Sequence, residues 1–72
     1  MEVYFDEEKD KAIIEDYIES NDDIMSIANR YKIKTFEVIS LLVRYKIISK
    51  RSESRGYEKY KETEEYKSKI YN

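Results

Sequence analysis

Half of the 14 cations in this 72-residue chain fall between Tyr31 and Arg55, where only Glu37 and Glu53 oppose them, so the stretch carries +5. Lys32, Lys34, Arg44, Lys46, Lys50, Arg51 and Arg55 are the residues concerned. The chemistry open to such a block is electrostatic: ammonium and guanidinium groups neutralise phosphates along a nucleic-acid backbone and release the counterions held there. Residues 1–30 have the opposite character, with ten carboxylates against three cations for a charge of −7, and residues 56–72 carry four of each. The overall −2 therefore conceals a basic centre behind an acidic front. It also argues against a generic, highly basic DNA-compacting protein.

Other chemistry is largely excluded. With no cysteine and no histidine, the chain has no disulfide, zinc finger, thiol nucleophile or imidazole base. The amino-terminal carboxylates lack the alternating ligands and central glycine of a calcium loop, and no residue marks a partner that would polarise a carboxylate pair. Neither an enzyme nor a cofactor, metal or small-molecule substrate is expected. The longest apolar run, within residues 36–48, is broken by Glu37, Arg44 and Lys46 and is too short for a bilayer. An amino terminus opening Met1, Glu2 lacks the regions of a secretory signal, so an intracellular protein is expected. Isoleucine, lysine and tyrosine abound while glycine occurs once and proline never, as in AT-rich genomes, viral ones included. At 42% charged and 40% hydrophobic residues, one small folded domain is the expectation.

Three helices are expected to position the basic block. Asp6 caps the first, Glu7 and Glu8 suit its positive end, and Ile13, Ile14, Tyr17 and Ile18 form its buried stripe before an end near Ser20 and Asn21. The second starts after Asp22 or Asp23 and places Ile24, Ile27, Ala28 and Tyr31 on one face. Lys32, Ile33 and Lys34 interrupt the pattern. From about Thr35 a third helix follows, with Val38, Leu41, Leu42 and Tyr45 as its inner stripe. Met1 to Phe5 would be an apolar arm or short strand.

This spacing resembles the helix-turn-helix DNA-binding domains of the three-helix or winged-helix type. Ala28 matches the small residue where the two helices cross, Ile33 the apolar residue after the turn, and Val38 and Leu41 the inner positions of the second helix of the motif. The family often has glycine in the turn, where this chain has Lys32. The resemblance covers about a third of the chain. It implies double-stranded DNA as partner, contacted through Lys32, Lys34, Thr35, Ser40, Arg44, Lys46, Lys50, Arg51 and Arg55.

Two readings are open for the remainder. In the winged form, residues 46–48 make a strand, Lys50, Arg51 and Arg55 decorate a basic loop that touches phosphates or a minor groove, and residues 57–61 return as a second strand. In the other, residues 57–71 are one helix, favoured by the glutamates and lysines and by the absence of a period of two. The all-α form is preferred: a compact three-helix bundle with a helix-turn-helix over 1–50, a basic linker over 51–56 and a carboxyl-terminal helical extension over 57–72.

One feature opposes base reading. Phe36, Ile39, Ser40 and Val43 fall opposite the inner stripe of the third helix, on a face where base readers carry hydrogen-bonding side chains. Left in water, Phe36, Ile39 and Val43 would mark an interface, covered by the carboxyl-terminal segment, a second copy or another protein. A homodimer or larger assembly is therefore expected, and a protein-interaction module built on these three residues is the rival to a regulator or architectural factor binding mainly phosphates.

Overall fold

A computed structural model describes residue 5 and residues 7–71, with side chains to residue 68. Among these residues it contains five helices and a 3-10 turn: α1 (Glu8–Glu19), α2 (Ile24–Tyr31), α3 (Thr35–Arg44), the turn at Arg51–Glu53, α4 (Tyr57–Tyr60) and α5 (Glu64–Tyr71). The all-α expectation holds, and no strand occurs among the described residues, so there is no winged hairpin. The arm over 1–4 and the Asp6 cap lie outside the described residues. Phe5 packs its ring 5.0 Å from that of Tyr45.

α1 buries Asp10, Ile13, Ile14 and Tyr17, which recur at the spacing of one helical face. Ile18 does not join them. It is 59% exposed, because one further residue turns the side chain about 100° away from the core. The helix stops where both the amide and the hydroxyl of Ser20 donate to the Asp16 carbonyl. Asp23 then opens α2 by accepting from the Ser26 amide at 2.9 Å, and Ile24, Ile27 and Ala28 face inward.

Both α2 and α3 end at lysines in the left-handed region. At the end of α2, Lys32 has φ +57°, its amide donates to the Asn29 carbonyl, and the Ile33 amide donates to the Ala28 carbonyl. At the end of α3, Lys46 has φ +61°, with Lys46 donating to Val43 and Ile47 to Leu42 in the same arrangement. This is the helix-ending motif that glycine usually completes, because any other residue brings Cβ against its own carbonyl at a cost of roughly 1–2 kcal/mol. Lys32→Gly should therefore stabilise the chain by about 0.5–1 kcal/mol in urea unfolding, since the relief exceeds the entropy that glycine loses on folding. An unchanged or lower midpoint would show that the lysine bears no strain.

The inner face of α3 differs from the expected one. Its buried residues are Thr35, Val38, Ile39 and Leu42, whereas Leu41 and Tyr45 are half-buried. The stripe lies three positions earlier than expected, a rotation of about 60°. α3 turns this face toward α1 and α2, on which it packs, and its start is capped by the carboxyl-terminal segment: the Glu65 carboxylate accepts from the Thr35 amide at 3.1 Å and the Phe36 amide at 2.9 Å. Two of the four free amides at that helix end are thereby satisfied by a residue 30 positions on. Nearby, Tyr60 is buried and its ring packs edge-on against Tyr66 at 5.4 Å. Burial, and then the Glu65 charge, push the Tyr60 hydroxyl up to about 12.

Residues 57–71 form two helices rather than one. Thr63 divides them, donating its hydroxyl to the Tyr60 carbonyl at 2.6 Å and accepting from the Tyr66 amide at 3.3 Å. Thr63 followed by Glu64 and Glu65 has the sequence of a helix start, with acids in the first turn.

Candidate nucleic-acid interface

The nine residues expected to meet DNA divide into three groups. Lys32, Lys34, Lys46, Lys50 and Arg51 are exposed, and none of them makes an ion pair among the described residues. Lys32 and Lys34 lie in the turn that leads into α3, and Lys46 follows its last turn. Lys50 and Arg51 open the 3-10 turn that packs on α3. That turn is held by Glu53, whose carboxylate accepts from the Ser49 amide at 2.7 Å and the Lys50 amide at 3.3 Å and is kept below the usual carboxylate range by those donors. Glu37 acts similarly at the start of α3, accepting from the Lys34 amide at 2.8 Å. α3 spans ~15 Å, so the five cations bracket it at both ends.

Ser40 and Arg44 form a second group on the exposed side of α3. Arg44 lies with its guanidinium 5.5 Å from the Tyr45 ring. Both residues line a groove of about 310 Å³ between α1 and α3, together with Ile33, Phe36, Glu37 and Leu41 on one side and Glu7, Lys9, Asp10 and Ile13 on the other. Three carboxylates therefore share this groove with Lys9 and Arg44, an arrangement unlike a phosphate-binding cleft.

The third group is excluded by its surroundings. Thr35 is 7% exposed, facing the core at the first turn of α3, and its side chain is not available to DNA. Arg55 is an internal clamp. Its guanidinium donates to the carbonyls of Tyr17 (2.6 Å), Ser20 (3.1 Å) and Asp22 (2.9 Å), and its carbon lies 4.2 Å from the Tyr17 ring centroid. Its own amide donates to the Tyr17 hydroxyl, and its carbonyl accepts from Ile24. The segment 51–56 is thus packed structure between α3 and the end of α1, where a linker was expected.

The three residues expected to form a protein interface are also redistributed. Ile39 is 2% exposed and belongs to the core, so it anchors nothing outside the chain. Phe36 and Val43 are half-buried. Among the described residues the one large, exposed hydrophobic side chain is Ile18. The apolar face that suggested a dimer is substantially covered by the chain itself.

Arg30 is exposed as well but, unlike the five cations, is committed within the fold, bridging Asp16 of α1 and Asp22 of the following turn. Its hydrogen bond holds the Asp16 carboxyl below the usual range, and the two acids raise the guanidinium in return. No set of three or more carboxylates among the described residues is placed to hold a metal ion. No described helix is long and apolar enough to cross a membrane. No protein-family model, curated protein or solved structure matches the chain.

Proposed function

We propose that the protein binds double-stranded DNA through its phosphates, as a regulator or architectural factor, with α2 and α3 serving as a helix-turn-helix. The observation that carries this reading is the set of exposed cations, Lys32 and Lys34 before α3 and Lys46, Lys50 and Arg51 after it, with no ion-pair partner among the described residues. A helix lying in a major groove ~12 Å wide has a phosphate strand at either end, and this is where the cations lie. The two left-handed lysines add support. At both positions glycine suits the backbone better, and a charge that acts on a ligand accounts for a lysine there. The exposed middle of α3, with Glu37 and Ser40 beside the acids of α1, favours weak discrimination between sequences.

Replacing Lys32, Lys34, Lys46, Lys50 and Arg51 together by glutamine should reduce affinity for a 20-base-pair duplex at least ~30-fold at low salt. Each cation that meets a phosphate should remove about one unit of salt slope. Lys11→Gln, on the exposed side of α1, should leave binding unchanged. Equal effects from Lys11 and from the five would refute the interface.

A further inference from the structure

The start of α3 is occupied by an anion that the chain itself supplies. The Glu65 carboxylate accepts from the Thr35 amide through one oxygen and from the Phe36 amide through the other, at 3.1 and 2.9 Å. Those amides are the first two of the helix, where the positive end of its dipole lies and where a phosphate would otherwise be held. Glu65 does not come alone. It belongs to the first turn of α5, with Glu62 and Glu64 exposed close by in sequence, so three acids reach the helix end whose preceding turn holds Lys32 and Lys34. Tyr66 helps to seat the segment, its ring edge-on to buried Tyr60, whose hydroxyl donates to Glu65 at 3.4 Å. The cap of a helix ordinarily comes from a residue beside it, and α3 has one in Glu37, which accepts from the Lys34 amide. The second anion comes from 30 positions away.

We propose that α5 is an autoinhibitory strap, docked through Glu65 on the start of α3 and displaced when a duplex binds. This regulation rests on the reading of α2 and α3 as a helix-turn-helix. In such a motif the amino-terminal residues of the second helix are the ones that enter the major groove. A helix seated on Thr35 and Phe36 stands in that path, and its carboxylates repel the phosphate strand that Lys32 and Lys34 would meet. Only molecules in which α5 has swung away bind DNA, so apparent affinity is lowered by the fraction that they represent. Glu37 stays with α3 when the strap leaves, and the helix keeps its local cap.

The test compares duplex affinity at one low salt concentration for the intact chain, for Glu65→Gln and for Glu15→Gln. Glutamine offers a single acceptor where the carboxylate offers two, so Glu65→Gln loosens the strap, while Glu15, exposed on α1, controls for charge alone. Glu65→Gln should bind at least ~10-fold more tightly, and Glu15→Gln should change affinity by less than about twofold. Equal gains would reduce the effect to net charge, and weaker binding by Glu65→Gln would make its carboxylate a support for DNA binding. Either result overturns the strap and leaves the DNA reading intact, whereas no binding by any of the three overturns both. A second measurement needs no variant. In proton NMR of the intact chain, saturation with duplex should abolish the ring-current shift that Tyr60 imposes on Tyr66. Tyr66 signals unchanged at saturation would overturn the proposal.

Discussion

Gly56→Ala should destabilise the chain by about 3–4 kcal/mol, enough to leave much of a domain this small unfolded at 25 °C. Two costs combine. Gly56 has φ +89°, a conformation that an L side chain adopts only with strain, and a Cβ built there would stand 2.5 Å from the Cβ of Asp23. That neighbour cannot move cheaply, because Asp23 caps α2 through the Ser26 amide, and loss of such a cap costs about 1 kcal/mol. Urea denaturation followed by helical circular dichroism measures the change. Pairing the substitution with Asp23→Gly should recover the part due to collision and leave the part due to φ. A loss below about 1 kcal/mol for Gly56→Ala alone would mean that the two segments do not approach as described.

Arg55→Ala should cost nearly as much, about 2–4 kcal/mol, through a different mechanism. The guanidinium serves three carbonyls where α1 ends and the chain turns toward α2, and it stacks on Tyr17. Removing it leaves those carbonyls without their donor and forfeits the cation–π contact. Arg55→Lys should rescue little, since an ammonium cannot reproduce a planar fork that reaches Asp22 through Nε and Tyr17 and Ser20 through one terminal nitrogen. The contrast with Arg51, four positions earlier and exposed, is diagnostic. Arg51→Ala should weaken DNA binding and leave the urea midpoint within about 0.5 kcal/mol, whereas Arg55→Ala should shift the midpoint and leave the salt slope of binding unaltered. Should the two variants exchange these behaviours, the roles assigned to the two arginines would be reversed.

These arginines show where sequence was informative. α2, the turn and α3 were legible because their determinants are local: a capping aspartate, Ala28, and apolar residues at helical spacing from Ile24 to Leu42. The rotation of α3 was not, because apolar residues lie on both sides of that helix and spacing alone does not say which edge of the stripe α1 and α2 cover. Residue types could not separate Arg55 from Arg51, since a guanidinium that clamps carbonyls and one that awaits phosphate are the same letter. The available signal was the neighbouring Gly56, the chain's single glycine, marking a place where backbone passes close to other atoms. Thr63 followed by two glutamates likewise announced a helix start within the segment 57–71.

Fluorescence polarisation of a labelled 20-base-pair duplex, titrated with the intact chain between 25 and 200 mM salt, tests the central claim most directly. Five cations meeting phosphates predict a plot of log affinity against log salt that falls with a slope of about −4.5, flattening when Lys32, Lys34, Lys46, Lys50 and Arg51 become glutamine. Absence of binding at 25 mM, or an affinity that salt does not change, would contradict it.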